Sequence, residues 1–252
     1  MILKGTIPGK IMRTNKYLPV RSVIGSILFY GLSIVVAIPF IATVPILIFT
    51  RKYDALCVNI NLRIQLFILK WACGVNFRIE GSEHIPKGAV LFASQHESSW
   101  ETLYFNLLLN NPIMYAKGEI FTYPLVGWIT RRMGHIPVNS GVSADQMREG
   151  LRKGVAALKS GRNLAIFPTG TRTRSRDAHL QSGIGVLYQL AGRPVVPVLL
   201  QSGQCWPANR LLKFQGTVRV KFLPPIEPGL DRGVFLAHLS DCLGQNLSNT
   251  SD

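Results

Sequence analysis

Between Arg21 and Arg51 the chain has no charged residue. The apolar stretch from Ser22 to Thr50 exceeds the roughly 20 residues that cross a bilayer as a helix. It is too long for a signal-peptide core and has no small-x-small cleavage site. It predicts a membrane-embedded helix. Pro39 and Pro45 each remove a helix donor, so a re-entrant hairpin bent at the prolines fits as well as a single span. Lys4, Lys10, Arg13, Lys16 and Arg21 precede the stretch, and Arg51, Lys52 and Arg63 follow it. With basic residues on both sides, the positive-inside rule sets no orientation. A second apolar run, Ile64 to Phe77, is interrupted by Lys70 and ended by Gly74. It reads as too short to span and predicts an interfacial or core-packing helix. Residues 1–75 therefore form a basic N-terminus with membrane-anchoring helices.

From Asn76 the pattern changes to short strands alternating with helices. Strands are predicted at Phe77 to Glu80, Ala89 to Ala93, Ile113 to Ala116, His135 to Val138, Leu164 to Phe167, Val195 to Leu200 and Val218 to Phe222. The runs at Ala89 and Leu164 are almost wholly apolar, which places them centrally in a sheet. Helical spacing runs from Trp100 to Leu109 and, amphipathically, from Ile120 to Met133. Another helix runs from Ser143 to Ser160, with Ser143 as its cap and Met147, Leu151, Val155 and Leu158 as its buried face. Ile184 to Ala191 and Gly233 to Leu243 complete the helices. The alternation gives an α/β class: a mixed, mostly parallel sheet flanked by helices, over residues 76–252.

Composition narrows the partners. The 252 residues carry a net charge of +15, which calls for an anionic partner. Hydrophobic residues make up 47% of the chain, and much of that apolarity is near the N-terminus, so lipid is favoured over nucleic acid. No zinc-finger spacing or RNA-binding motif is present. Cys57, Cys73, Cys205 and Cys242 are widely spaced and read as reduced packing residues. His84, His96, His135, His179 and His238 form no metal-ligand pattern.

Two stretches carry candidate chemistry. In the first, Ser94 to Glu101, His96 follows a buried strand and Glu101 lies five residues on. The pair suits a general base and the carboxylate that fixes its tautomer. Ser98-x-x-Glu101 equally fits a capping box that only closes a helix N-terminus. In the second, Phe167 to Arg174, Gly170 permits close backbone approach, Thr171 supplies a hydroxyl and Arg172 a planar fork suited to phosphate. A phosphate cradle and a solvated basic loop both fit it. Lys117, at another strand end, is a second candidate phosphate contact.

Taken together, four separated stretches resemble the 1-acylglycerol-3-phosphate acyltransferases. They are His96 to Glu101, Lys117 to Gly127, Phe167 to Arg172, and Val195 to Val198. Gln201 to Pro207 and Leu223 to Gly229 resemble the bacterial branch. The resemblance implies transfer of a fatty acyl chain from acyl-CoA or acyl carrier protein to the sn-2 hydroxyl of lysophosphatidic acid, giving phosphatidic acid. It implies catalysis by His96 and Glu101, substrate binding by Lys117, Gly170, Thr171 and Arg172, and no metal or organic cofactor. It also implies attachment to membrane lipids, at the bacterial inner membrane with the catalytic domain facing the cytoplasm. N–H groups at the start of the helix after His96 are expected to face the oxyanion.

Three positions depart from the family pattern. The first block normally ends in Asp, where Glu101 stands. Thr169 replaces the usual Glu of the third block. Asn139-Ser140 replaces the Asp-Arg that closes the second, with Arg131 or Arg132 as the candidate to compensate. The altered third block leaves one alternative, acylation of another lyso-lipid such as a lyso-ornithine lipid; non-catalytic lipid binding is a separate alternative, against which His96 and Glu101 count.

Overall fold

The computed structural model describes residues 18–50, 53–139, 143–170, 172, 180–208 and 210–245. Its centre is a seven-stranded sheet in the order β1-β7-β6-β2-β5-β3-β4. The strands are β1 (Val75–Glu80), β2 (Leu91–Ser94), β3 (Ile113–Lys117), β4 (Ile136–Val138), β5 (Leu164–Ile166), β6 (Val195–Leu200) and β7 (Gly216–Phe222). All neighbours are parallel except β6 and β7, which run antiparallel. The mixed, mostly parallel sheet expected from the sequence is the one observed.

Side chains alternate across a strand, so each buried strand feeds two cores. Val90 and Phe92 from β2 and its approach, and Val196, Val198 and Leu200 of β6, point to one face. There they meet Trp100, Tyr104 and Phe105 of α3 (Trp100–Leu108). Leu91, Ala93, Val195 and Leu199 point to the other face. They meet α5 (Ala144–Lys159), α6 (Gly183–Ala191) and α7 (Arg232–Gly244). Ser143 and Gln146 make the reciprocal capping box that opens α5. Met147, expected on the buried face of α5, is exposed, and the buried arc is Gly154, Ala157 and Leu158. A Cβ on Gly154 would stand 2.2 Å from the Tyr115 hydroxyl, so the helix is seated through its small residues and turned away from Met147.

The amphipathic stretch from Ile120 to Met133 does not form one helix. A 3₁₀ turn at Gly118–Thr122 is followed by α4 (Val126–Arg132). Pro124 has no N–H to give, and Leu125 takes φ +59° in the break.

The N-terminal elements correct two expectations. α1 (Leu18–Phe49) is one continuous helix of 32 residues that passes through both prolines. Each proline removes a single donor, and the rest of the ladder holds. The chain turns back later, between α1 and α2 (Asp54–Cys73). α2 begins ten residues before the apolar run suggested, because Asn59, Asn61 and Arg63 interrupt the hydrophobic pattern without interrupting the helix. It is therefore 20 residues long, and both it and the Val20–Pro45 part of α1 are long and apolar enough to cross a membrane. Gly74, at φ +69°, closes α2 by returning its N–H to Lys70 O at 2.9 Å. β1 opens at Val75, two residues before the strand expected from Phe77.

α1 and α2 pack closely. A Cβ on Gly25 would lie 2.4 Å from Ala72 O, and Ser33 Oγ bonds Gln65 Oε1 at 2.6 Å. Two buried cations tie this pair to the sheet domain. Arg132 of α4 donates to both carboxylate oxygens of Asp54, at 2.9 and 3.1 Å, and to Thr50 O at 2.7 Å. Lys213, fully buried, gives its backbone N–H to Ser26 Oγ at 2.8 Å and its ammonium to Leu211 O at 2.7 Å and to the Tyr30 hydroxyl. The ammonium also lies over the rings of Trp206, Tyr30 and Phe29. Phe29, Ile68, Leu69 and Cys73 share one core with the sheet.

Candidate active site

Parallel order puts the carboxyl ends of β2, β5 and β3 side by side, and ligands of open α/β sheets sit at that edge. His96 follows β2, Phe167 to Arg172 follow β5, and Lys117 ends β3.

His96 Nδ1 and Glu101 Oε1 are 2.9 Å apart. A carboxylate can only accept, so Nδ1 donates the proton and Nε2 carries the free lone pair of the neutral ring. Nε2 has no partner among the described residues. The ring lies flat on Phe167, centroids 4.2 Å apart and planes 21° apart, and Phe105 lies nearly parallel to Phe167 at 6.0 Å. Phe167 therefore fixes the plane of the imidazole while the carboxylate fixes its rotation.

Glu101 is fully buried and accepts five hydrogen bonds. Oε1 takes His96 Nδ1 and the N–H groups of Glu97 and Ser98, the last two at 2.7 Å. Oε2 takes the hydroxyls of Ser98 and Ser202, both at 2.8 Å. Burial is the largest influence on this carboxyl and pushes it up. The bond and charge of His96, with the backbone donors of the loop, outweigh burial and hold it below the ordinary carboxylate value. The glutamate thus orients His96 and gathers the N–H groups of the loop before α3, whose cap residue, Ser99, makes no side-chain cap bond.

Three N–H groups near the expected oxyanion donors are engaged within the loop. The N–H groups of Glu97 and Ser98 are spent on Glu101, and that of Trp100 on Ser98 Oγ at 2.9 Å.

The phosphate candidates are placed as follows. Lys117 is exposed at the end of β3, and the adjoining Gly118 N–H is held by Asn139 Oδ1 at 3.0 Å. Asn139, a departure from the family block, thereby fixes the bend that presents Lys117. Gly170 takes φ +71° and closes a turn through its N–H to Phe167 O at 2.9 Å. Its backbone conformation, more than close approach, explains the glycine. Arg172 is exposed, and Thr171 lies outside the described residues. Arg131 and Arg132 are committed elsewhere, to Phe121 O and to Asp54 and Thr50 O, so neither compensates for the missing Asp-Arg pair. Ser140 lies outside the described residues.

Sequence reasoning missed Phe167 and Ser202 as parts of the site. Phe167 looked like the last residue of a strand. Ser202 is a small polar residue directly after the buried strand β6, the neighbour of β2, and it fell within the Gln201 to Pro207 stretch without being assigned a role.

Residues 76–201 match the acyltransferase family model, half of the chain. The chain belongs to the acyltransferase family. Among relatives of this acyltransferase, the 1-acyl-sn-glycerol-3-phosphate acyltransferase of Pseudomonas aeruginosa is 28% identical over 181 residues, covering 71% of this chain and 70% of that one. The protein of the same name from Limnanthes douglasii is 30% identical over 164 residues, covering 62% of this chain and 56% of that one. In fold, the acyltransferase matches the 1-acyl-sn-glycerophosphate acyltransferase of Thermotoga maritima with a TM-score of 0.74, covering 90% of this chain and 94% of that one at 20% identity.

Proposed function

We propose that the protein is a 1-acylglycerol-3-phosphate O-acyltransferase that moves a fatty acyl chain from a thioester donor, acyl-CoA or acyl carrier protein, to the sn-2 hydroxyl of lysophosphatidic acid. The observation that carries this reading is the His96–Glu101 pair at 2.9 Å, within a chain that matches the acyltransferase family.

The alcohol is a weak nucleophile near neutral pH. His96 Nε2 takes its proton as the oxygen attacks the thioester carbonyl, and the C–O bond forms. The tetrahedral intermediate then expels the thiolate, which takes the proton back from His96, so the free thiol leaves and the imidazole is neutral again. Glu101 stabilises the transient imidazolium and keeps Nε2 toward the substrate. Lys117 and Arg172, both exposed at this edge, are the groups offered to the acceptor's phosphate. Holding the phosphate fixes which hydroxyl reaches His96. The chemistry needs no metal or organic cofactor.

The apolar faces of α1 and α2 sit in membrane lipid and bring the acyl chains to the site. The setting proposed is the bacterial inner membrane with the sheet domain on the cytoplasmic side, and the product, phosphatidic acid, feeds phospholipid synthesis.

Purified protein in detergent, given either thioester donor and a panel of lyso-lipids, tests this. Phosphatidic acid formed from lysophosphatidic acid is the expected result. Acylation of a lyso-ornithine lipid in its place, to which Thr169 would point, overturns the acceptor assignment. No acylation of any acceptor overturns the enzyme.

A further inference from the structure

Four of the five donors to Glu101 come from its own loop, residues 96–98. The fifth, Ser202 Oγ, comes from the loop after β6, 101 residues further on, and is fully buried. The same loop makes a second contact, from Gly203 N–H to Glu97 Oε2 at 2.8 Å. We propose that Ser202 is a positioning residue of the catalytic centre, holding Glu101 Oε2 so that Oε1 stays on His96 Nδ1. This rests on the acyl-transfer reading above.

The direction of each bond supports the assignment. A carboxylate accepts only, so both serine hydroxyls must donate to Oε2. Trp100 N–H fills the acceptor side of Ser98 Oγ, so that hydroxyl is already oriented. Ser202 is then the one donor that fixes Oε2 from outside the loop. Without it, a buried oxygen loses half of its two partners, and the carboxyl is freer to turn away from His96.

Ser202 thereby acts on His96 as well: a carboxylate that turns from Nδ1 stabilises the imidazolium less. The charged neighbours are His96 and Glu97 from the loop itself. The β6 loop presents Ser202 and Gly203, and β5 presents the Phe167 ring, all uncharged.

The test uses the full chain in detergent with Ser202→Ala and Ser202→Thr. In Ser202→Ala, kcat falls about tenfold with KM unchanged. The acid limb of kcat/KM against pH moves down, because the loosened carboxylate stabilises the imidazolium less. Ser202→Thr, which keeps the hydroxyl, restores both. Nitrogen NMR of the His96 ring reads the same downward shift without turnover. An inactive wild type therefore sinks the acyl-transfer reading and leaves Ser202 to be judged by the titration. Wild-type kcat in Ser202→Ala overturns the proposal. So does a rate loss with an unmoved acid limb, an unmoved titration and a lower melting temperature, because Ser202 would then serve the fold and not the carboxylate.

Discussion

His96 is presented by three different kinds of contact: the carboxylate at Nδ1, the Phe167 ring beneath it and the end of a buried strand behind it. His96→Ala is expected to lower turnover by about two to four orders of magnitude, and to lower the melting temperature as well, because buried Glu101 loses one of its five donors. Steady-state rates and thermal unfolding on the same preparation check both halves. A different histidine should dominate the pH dependence of stability. Met114 N–H donates to His135 Nδ1 at 3.0 Å, and burial, then the nearby Arg162 charge, pushes this imidazole down to about 4. Free histidine takes up a proton near 6.5. Between about 6.5 and 4 the unfolded chain thus binds more protons than the folded one, and stability falls as pH falls. Glu101, whose carboxyl is also held low, adds its own loss only below the ordinary carboxylate range. The melting temperature should drop from pH 6.5 to 4, and His135→Gln, which keeps an acceptor but does not titrate, should flatten that drop. At this scale the sequence exposed His96, Glu101, Lys117 and Gly170, because their residue types and short spacings advertise chemistry. It hid the roles of Phe167 and Ser202, though both lay in stretches it singled out, because stacking on His96 and a bond to Glu101 from a distant loop have no local signature.

Among the elements, the strands were legible almost to the residue, since buried parallel strands are short apolar runs bounded by turn residues. The helices were legible where one face meets one surface, as in α6 and α7. α2 was not, because polar residues on its outer side broke the apolar run. The stretch across α4 was misread because amphipathic spacing says nothing of a proline that splits it. The tie between α4 and the α1–α2 turn was also invisible, with 78 residues between Arg132 and Asp54. Their side chains are only 12% and 6% exposed, so the pair is mostly desolvated. Removing one partner strands a buried charge. Arg132→Met should cost about 3 kcal/mol, and Arg132→Met with Asp54→Leu should recover most of it, as chemical denaturation in detergent would show. A full loss in the double variant would mean that the bond to Thr50 O carries the tie instead.

For the whole molecule, the class and the sheet's mostly parallel character followed from strand–helix alternation, but strand order did not. Nothing local told that β1 pairs with β7, 141 residues away at Val75 and Gly216, or that β7 reverses against β6. Those pairings are set by which apolar faces remain to be covered once β2, β5 and β6 have formed the centre. The joining of α1 and α2 to the sheet's own core was equally silent in a sequence that divides so sharply in composition near residue 75.

The reversal of β7 decides where the chain steps from anchor to sheet. Because β1 follows β7 and both oppose β6, Gly74 lies at the rim where β2 delivers His96. Had β7 run the other way, that handover would fall on the opposite rim, about 20 Å off at 3.3 Å per residue over a strand of this length. One antiparallel pairing thus keeps His96 on the same rim as the end of the long apolar helix α2.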